Sequence, residues 1–147
     1  MTPEELEAYL RGHIPLSAAM QIHVASVAAD EVVIEAPLAP NINHRETLFG
    51  GSATALAILA AWSLVHLRLE TMGIAHRLVI QRQTMSYDAP VTGTVAAHAR
   101  FWPATDWDRL LDMLRRRGKA RLTAVAELRF GTVVAGRMEA DFVALSA

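Results

Sequence analysis

The chain of 147 residues is long enough for one domain with its own core, and its 52% hydrophobic and 20% charged residues are typical of a globular protein. A formal net charge of -1 offers no overall attraction for nucleic acid or an anionic membrane. The chain contains no Cys, which excludes a disulfide scaffold, a thiolate zinc site and a cysteine nucleophile. We therefore expect a single domain over residues 1–147 and no nucleic-acid partner.

The N-terminal third of the sequence predicts a short helix followed by a β-hairpin. Thr2, Pro3 and two acidic residues are typical of a helix start, and Gly12 is typical of a helix end. This acidic segment lacks the apolar core of a signal peptide, so we expect a cytoplasmic location. Residues 21–27 and 31–38 are rich in β-branched side chains on either side of a short turn, which predicts two paired strands.

The stretch 47–67 carries no Asp, Glu, Lys or Arg. It opens with Gly50 and Gly51 and continues as Ala, Leu, Ile and Trp without a sustained polar face, which predicts a central helix at about residues 49–71. About 20 apolar residues could also cross a membrane. The Ala content, the scattered polar side chains and the flanking strands favour a helix buried on all sides in a protein without a membrane span.

The second half of the chain alternates between strand and helix patterns. The predicted elements are strands at 77–87, 94–101, 119–130 and 132–145 and a helix at 103–117. Gly136 indicates a bulge in the last strand. The short turns between strands favour antiparallel pairing. The predicted fold is therefore α+β, a hotdog fold in which a curved antiparallel sheet of about six strands wraps around one long helix.

Several segments also carry a resemblance to a known family. They are HIPLSAAM, PNINHRETLFGGSATALAILAAW, QTMSYDAPVTGTVAAHA and RRRGKARLTAVAELRFGTVVAGRMEADFV. The second places Asn43 seven residues before the pair Gly50 and Gly51, as in hotdog thioesterases, and the whole set is most similar to the putative thioesterases of the YiiD C-terminal kind. The resemblance implies an enzyme without a cofactor that hydrolyses acyl-CoA or a related acyl thioester. It also implies a homodimer or a dimer of dimers, with sites formed between two subunits.

The sequence departs from this family at one position. Many hotdog thioesterases have an Asp or Glu about two helical turns after the Gly pair, as general base or nucleophile, whereas this chain has Ile58. No carboxylate occurs between Glu46 and Glu70. The mechanism that the resemblance implies therefore does not transfer residue by residue.

The candidate catalytic residues surround the start of the central helix. The amides of Gly50 and Gly51 can hold a thioester carbonyl as it gains negative charge, or the two glycines can simply allow close packing. Asn43 can orient water or the carbonyl, or it can stabilise its own loop. His44 can act as a base or be a plain loop residue, and Glu46 can replace the missing acid or cap the helix.

Other candidates would bind the substrate. Ser52 and Thr54 can donate hydrogen bonds in a pocket, although Ser near a helix start is commonly a cap. A basic cluster can bind the phosphates of coenzyme A, or it can complement the end of a helix. Its members are Arg115, Arg116, Arg117, Lys119 and Arg121. We expect Asp88 to be a turn residue and His66 a core histidine. Because the other histidines considered show no metal-ligand spacing, we predict no metal; these are His13, His23, His76 and His98.

Three functions are compatible with these residues. The leading hypothesis is a thioesterase in which Asn43, with His44 or Glu46, places and activates water. The second is a non-catalytic binding module for acyl-CoA or an acyl carrier, which has lost the acid at Ile58. A hotdog dehydratase ranks last, because it needs a His that faces an acid, and only His44 with Glu46 or the partner's Asp88 could supply that pair.

Overall fold

The computed structural model describes residues 1–147 and has the predicted α+β architecture, a six-stranded antiparallel sheet curved around one long helix. The helices are α1 (Pro3–His13), α2 (Pro15–Ala19), α3 (Gly50–Thr71) and α4 (Trp107–Arg117). The strands are β1 (His23–Val27), β2 (Glu31–Ala36), β3 (His76–Tyr87), β4 (Val95–Phe101), β5 (Lys119–Phe130) and β6 (Val133–Ser146). Their order in the sheet is β1-β2-β4-β5-β6-β3, and every neighbouring pair is antiparallel.

Most predicted boundaries agree with the structure to within two residues. The largest difference is in α4, which begins at Trp107 rather than at residue 103. The side chain of Asp106 accepts a hydrogen bond of 3.0 Å from the backbone N–H of Arg109 and so fixes the later start. Strand β2 ends at Ala36 because Pro37, which follows it, has no backbone N–H to donate to the sheet.

Helix α3 is the core helix of the fold, although its length and apolar composition would also suit a membrane span. Half of its 22 residues are buried, four of them Ala, and the same core contains buried Ala residues of β4 and β5. The expectation that α3 is buried on all sides is wrong for one face. Thr54, Ile58 and Trp62 follow one another at helical spacing and stay only partly covered. Their contacts with β3 are limited to its margin, where Thr54 bonds to Tyr87 and the ring N–H of Trp62 donates to the carbonyl of Leu78.

Strand β3 forms one edge of the sheet and pairs only with β6. Of its 12 residues only Leu78 is buried, while Val79 and Ile80 expose 50% and 36% of their surface. Its outer edge is free, and its inner side flanks the partly covered face of α3. The chain therefore presents a long, partly apolar edge next to an open helix face.

The predicted bulge in β6 lies beside Gly136. Leu128 pairs with Gly136 whereas Arg129 pairs with Val134, so Ala135 is the extra residue. A Cβ on Gly136 would lie 2.7 Å from the backbone oxygen of Ser86, which explains the glycine. The carbonyl of Ala135 accepts from the N–H groups of both Asp88 and Ala89, so the bulge holds the turn that follows β3.

Candidate functional site

The start of α3 lacks a capping side chain. Its N-cap residue is Phe49, which has no side-chain acceptor, and no acidic residue lies in the first turn. The backbone N–H groups of Gly50, Gly51 and Ser52 therefore point out of the helix without an intrahelical acceptor. With the helix dipole they form a positively polarised end that suits a developing oxyanion.

The two glycines differ in their surroundings. A Cβ on Gly50 would lie 3.4 Å from the ring of Tyr87, at the end of β3, so Gly50 packs against the sheet. A Cβ on Gly51 would collide with the ring of Phe49, which is 55% exposed. The absence of a Cβ at Gly51 therefore leaves room for the solvent-exposed ring of Phe49 at the start of α3.

Asn43 organises the loop that leads into α3. Its side-chain oxygen accepts from the backbone N–H groups of Arg45 and Thr47, at 2.8 and 3.1 Å. Its side-chain nitrogen donates to the hydroxyl of Thr47 at 2.9 Å and to the carbonyl of Leu48 at 3.4 Å. These contacts occupy both ends of the amide, so of the two roles expected for Asn43 the structure favours loop stabilisation.

His44 and Glu46 lie on the same loop and are both exposed. Glu46 takes a left-handed backbone conformation with φ of 63°, and its N–H donates to the carbonyl of Asn43 at 3.1 Å. The loop is closed at its base by a bridge between Ile42 and Leu48. The fold therefore presents these two titratable groups at the surface of the loop.

A pair of hydroxyl groups lies beside the first turn of α3. The oxygens of Tyr87 and Thr54 are 2.6 Å apart in a hydrogen bond, and the Tyr87 hydroxyl also lies 3.4 Å from the carbonyl oxygen of Gly50. Thr54 was a sequence candidate, but Tyr87 was not. The only sequence signal at Tyr87 was that the segment SYDAPVTG resembles a family segment with an aromatic residue. The hydrogen bond itself could not be predicted, because it joins residues 33 apart and depends on how β3 lies against α3.

A cavity of about 380 Å³ opens beside Gly50. Its lining residues are Leu48, Gly50, Ala53, Tyr87, Asp88, Ala89, Pro90, Val91, Leu128 and Ala135. Asp88 supplies the only carboxylate of this lining, and its Oδ2 lies 3.3 Å from the Ser86 hydroxyl and 3.7 Å from Nη1 of Arg137. The sequence identified Asp88 as a turn residue, and the structure adds that this turn faces the helix start.

The basic cluster lies far from this cavity within one chain. Its first three members form the last turn of α4, and Lys119 and Arg121 lie at the start of β5. This end of α4 lies near Ile74 and Ala75, just beyond the C-terminal end of α3. A helix of 22 residues is about 33 Å long, so most of that length separates the cluster from Gly50. The structure therefore does not bring Arg116, Arg117, Lys119 and Arg121 together with the helix start of the same chain, and Arg116 forms an ion pair of 3.1 Å with Asp112.

His66 is packed as expected for a core histidine. Its ring stacks on Trp62 with centroids 4.6 Å apart and on Tyr9 with centroids 5.5 Å apart. Burial lowers the pKa of His66, and the positive charge that His76 can carry acts in the same direction, whereas Glu70 opposes them.

Comparison with known proteins agrees with this architecture. A family model described as "Putative thioesterase (yiiD_Cterm)" matches residues 3–146. A crystal structure of a protein of unknown function from Chlorobaculum tepidum is 28% identical with a TM-score of 0.91, covering 99% of this chain and 98% of the other. A putative thioesterase from Shewanella oneidensis is 29% identical with a TM-score of 0.87, covering 97% and 96%. A thioesterase from Haemophilus influenzae, 15% identical with a TM-score of 0.80 over 99% and 92%, shares the fold.

Proposed function

The chain belongs to the putative thioesterase family of the YiiD C-terminal kind, and we propose that it hydrolyses acyl-CoA or a related acyl thioester at the start of α3. The observation that carries the proposal is the uncapped N-terminus of α3 beside an apolar cavity that contains one carboxylate. Thioester hydrolysis needs a place for an oxyanion, a group that accepts a proton from water and room for an acyl chain. The uncapped helix start, Asp88 and the apolar part of the lining are the features that would supply these three needs.

In the proposed reaction, water attacks the carbonyl carbon of the thioester. The amides of Gly50 and Gly51 donate to the oxygen as it becomes negative, which stabilises the transition state more than the substrate. Asp88 accepts the proton of the attacking water. The carbon–sulfur bond then breaks, and a thiolate leaves readily because a thiol has a pKa of about 8.5.

In this proposal Asp88 serves as the general base, the role that an Asp or Glu of the central helix has in many hotdog thioesterases and that Ile58 cannot fill. His44 and Glu46 are the alternative bases on the exposed loop, and both stay candidates until they are replaced. The hydroxyl pair of Thr54 and Tyr87 can hold the attacking water or the carbonyl beside Gly50. The apolar part of the lining, together with the partly covered face of α3, suits an acyl chain.

We further propose that the protein works as a homodimer in which two β3 strands pair at their free edges. Such pairing would cover the exposed Val79 and Ile80 and the open face of α3. In an antiparallel pair the His76 end of one strand lies opposite the Tyr87 end of the other. The partner subunit's Lys119 would then lie three strand spacings away, about 14 Å, from this chain's Tyr87.

This arrangement gives the basic cluster a role. The extended pantetheine arm of coenzyme A can span such a distance, so the phosphates would reach the partner subunit's Arg121 or the partner subunit's Lys119 while the thioester lies at Gly50. Cations bind phosphate oxygens through charge-assisted hydrogen bonds. The cluster would therefore serve the active site of the other subunit.

The decisive experiment is an assay of hydrolysis on a panel of acyl-CoA esters with short, long and aromatic acyl groups. Turnover is measured as free thiol released. The protein has no Cys, so it adds no background to a thiol reagent. Asp88→Asn is expected to lower kcat by about 100-fold or more, as for loss of a general base. Glu46→Gln, a matched amide replacement on the exposed loop, is expected to retain activity.

Each alternative result has a clear meaning. Loss of activity in Glu46→Gln but not in Asp88→Asn would move the base to the loop. Absence of turnover across the panel, in a folded protein that still binds CoA esters, would overturn hydrolysis and leave the binding module as the function. Sedimentation that shows a monomer at assay concentration would overturn the paired-edge dimer.

A further inference from the structure

A second cluster of ligating side chains lies at the other end of α3. It consists of His66 and Glu70, one turn apart on the helix, and His76, the first residue of β3. One ligand atom of each side chain lies within 4.8 Å of those of the other two. His66 is sixteen residues beyond Gly50, about 24 Å along the helix, so this cluster is separate from the cavity at the helix start.

The ring of His76 is oriented for a ligand at its second nitrogen. Its Nδ1 lies 2.8 Å from the carbonyl oxygen of Ile74. A carbonyl oxygen only accepts, so Nδ1 carries the hydrogen, and Nε2 of the neutral ring presents a lone pair. A backbone carbonyl that fixes the tautomer in this way is the usual partner of a metal-binding histidine.

The lone pair of His76 points at His66. The Nε2 of His76 and the Nδ1 of His66 are 3.0 Å apart. Two imidazole nitrogens bound to one tetrahedral ion at about 2.05 Å would be about 3.3 Å apart. An increase of a few tenths of an ångström in the distance between these two nitrogens would therefore admit an ion. The His66 ring is held in place because it stacks on Trp62.

Glu70 completes the set from the solvent side. Its Oε1 lies 4.0 Å from Nε2 of His66, the ring nitrogen that does not contact His76. To share an ion with Nδ1 of His66, the Glu70 side chain must turn toward the space between the two rings, and at 59% exposure it is free to rotate. Two imidazoles and one carboxylate form the nitrogen and oxygen donor set of many zinc sites with one open position for water. The exposed side of Glu70 provides the path by which an ion would enter.

We propose that His66, Glu70 and His76 bind one divalent transition-metal ion of the zinc class. The bound ion joins α3 to the first residue of β3 and so stabilises the contact between the core helix and the edge strand. The absence of ligand spacing in the sequence had predicted no metal. His66 and Glu70 follow ordinary helical spacing, however, and the turn at residues 72–75 is what brings His76 back to them.

The test is a titration of untagged, metal-free protein at pH 7.5 with Zn²⁺, with Co²⁺ as the spectroscopic probe and Mg²⁺ as the negative control. We expect one Zn²⁺ per chain with micromolar or tighter affinity, visible d–d bands of low-coordinate Co²⁺ and a higher Tm with Zn²⁺. His76→Gln is expected to weaken binding by about 100-fold. His23→Gln, the same replacement at an exposed histidine of β1, is expected to bind like the parent protein.

The proposal is overturned if the parent protein binds no Zn²⁺, or if His76→Gln binds as tightly as the parent. It is also overturned if His23→Gln loses the ion to the same extent. If His76→Gln does not fold, Glu70→Gln at the exposed member of the cluster serves instead and is expected to weaken binding by about 10-fold. A metal-free result would identify the three side chains as a hydrogen-bonded pair of histidines with a nearby acid.

Discussion

Helix α3 begins and ends in contrasting surroundings. At its start Phe49 offers no acceptor to the first backbone N–H groups, whereas Thr2 and Asp106 cap α1 and α4 with their side chains. At its end the guanidinium of Arg68 lies 4.8 and 4.7 Å from two aromatic rings and donates to a backbone carbonyl at 3.0 Å. The same helix therefore has stabilising side-chain contacts at its C-terminal end and lacks a side-chain cap at its start, where we propose that the thioester binds.

The largest change in activity is expected when the start of α3 receives a side-chain cap like those of α1 and α4. In Phe49→Asp the new carboxylate can accept from the amides of Gly51 and Ser52, so it competes with the thioester oxygen. We expect kcat/KM to fall by about 100-fold, as for loss of an oxyanion-hole donor. We also expect the free energy of unfolding to rise by about 1 kcal/mol in urea denaturation, because a cap is gained.

The matched control is Phe49→Leu, which keeps an apolar side chain without an acceptor. It should retain most of the activity and gain no stability. An equal loss of activity in both variants would assign the effect to the aromatic ring of Phe49 and would argue against the amides as the oxyanion site.

Loss of one hydroxyl beside the helix start should have a smaller effect. Tyr87→Phe keeps the ring against Gly50 and removes the oxygen that bonds to Thr54. We expect kcat to fall about tenfold with little change in KM, since one neutral hydrogen bond near the reacting atoms is lost. Steady-state kinetics on the best substrate of the panel measures both constants.

A double-mutant cycle with Thr54→Val tests whether the two hydroxyls act as one unit. If they do, the double variant should lose about as much activity as Tyr87→Phe alone, because each single change already breaks their shared bond. Additive losses would mean that Tyr87 and Thr54 act separately.

Local patterns in the sequence predicted the elements that carry the site. The Gly pair before an apolar run located the start of α3, and the alternation in β4 and β5 identified the strands and their buried faces. Each of these signals lies within a few residues of the element that it predicts.

The remaining features depend on contacts between distant residues. The pairing of Thr54 with Tyr87 and the return of His76 to His66 depend on where β3 lies against α3. The separation of the basic cluster from Gly50 depends on the length of α3. The apolar stretch predicted that α3 is buried on all sides. One face of α3 stays partly open, because the extent to which the sheet wraps around the helix is not encoded in that stretch.

At the end of α3, substitution should change stability without changing catalysis. Arg68→Met removes a charge stacked on Phe101 and Trp107 and a hydrogen bond to Ala29. We expect the free energy of unfolding in urea to fall by about 1 kcal/mol, with kcat/KM unchanged. Arg109→Met, at an exposed side chain of α4 that forms no ion pair, should change stability by less than about 0.5 kcal/mol. A drop in turnover in Arg68→Met would show that the two ends of α3 are coupled.

The smallest effect is expected at the capped start of α1. The hydroxyl of Thr2 accepts from the N–H of Glu5 at 3.2 Å, and the carboxylate of Glu5 accepts from the N–H of Thr2 at 2.9 Å. Thr2→Ala should lower the free energy of unfolding by about 0.5 kcal/mol, the low end for a cap, because this helix start is exposed. Thr2→Ser keeps the hydroxyl and should restore stability, and neither change should affect turnover. Helix α1 does contact α3, since Tyr9 stacks on His66. If Thr2→Ala lowers turnover and Thr2→Ser restores it, the cap of α1 acts on catalysis through that stack. The start of α1 could then no longer be treated as a site that affects only stability.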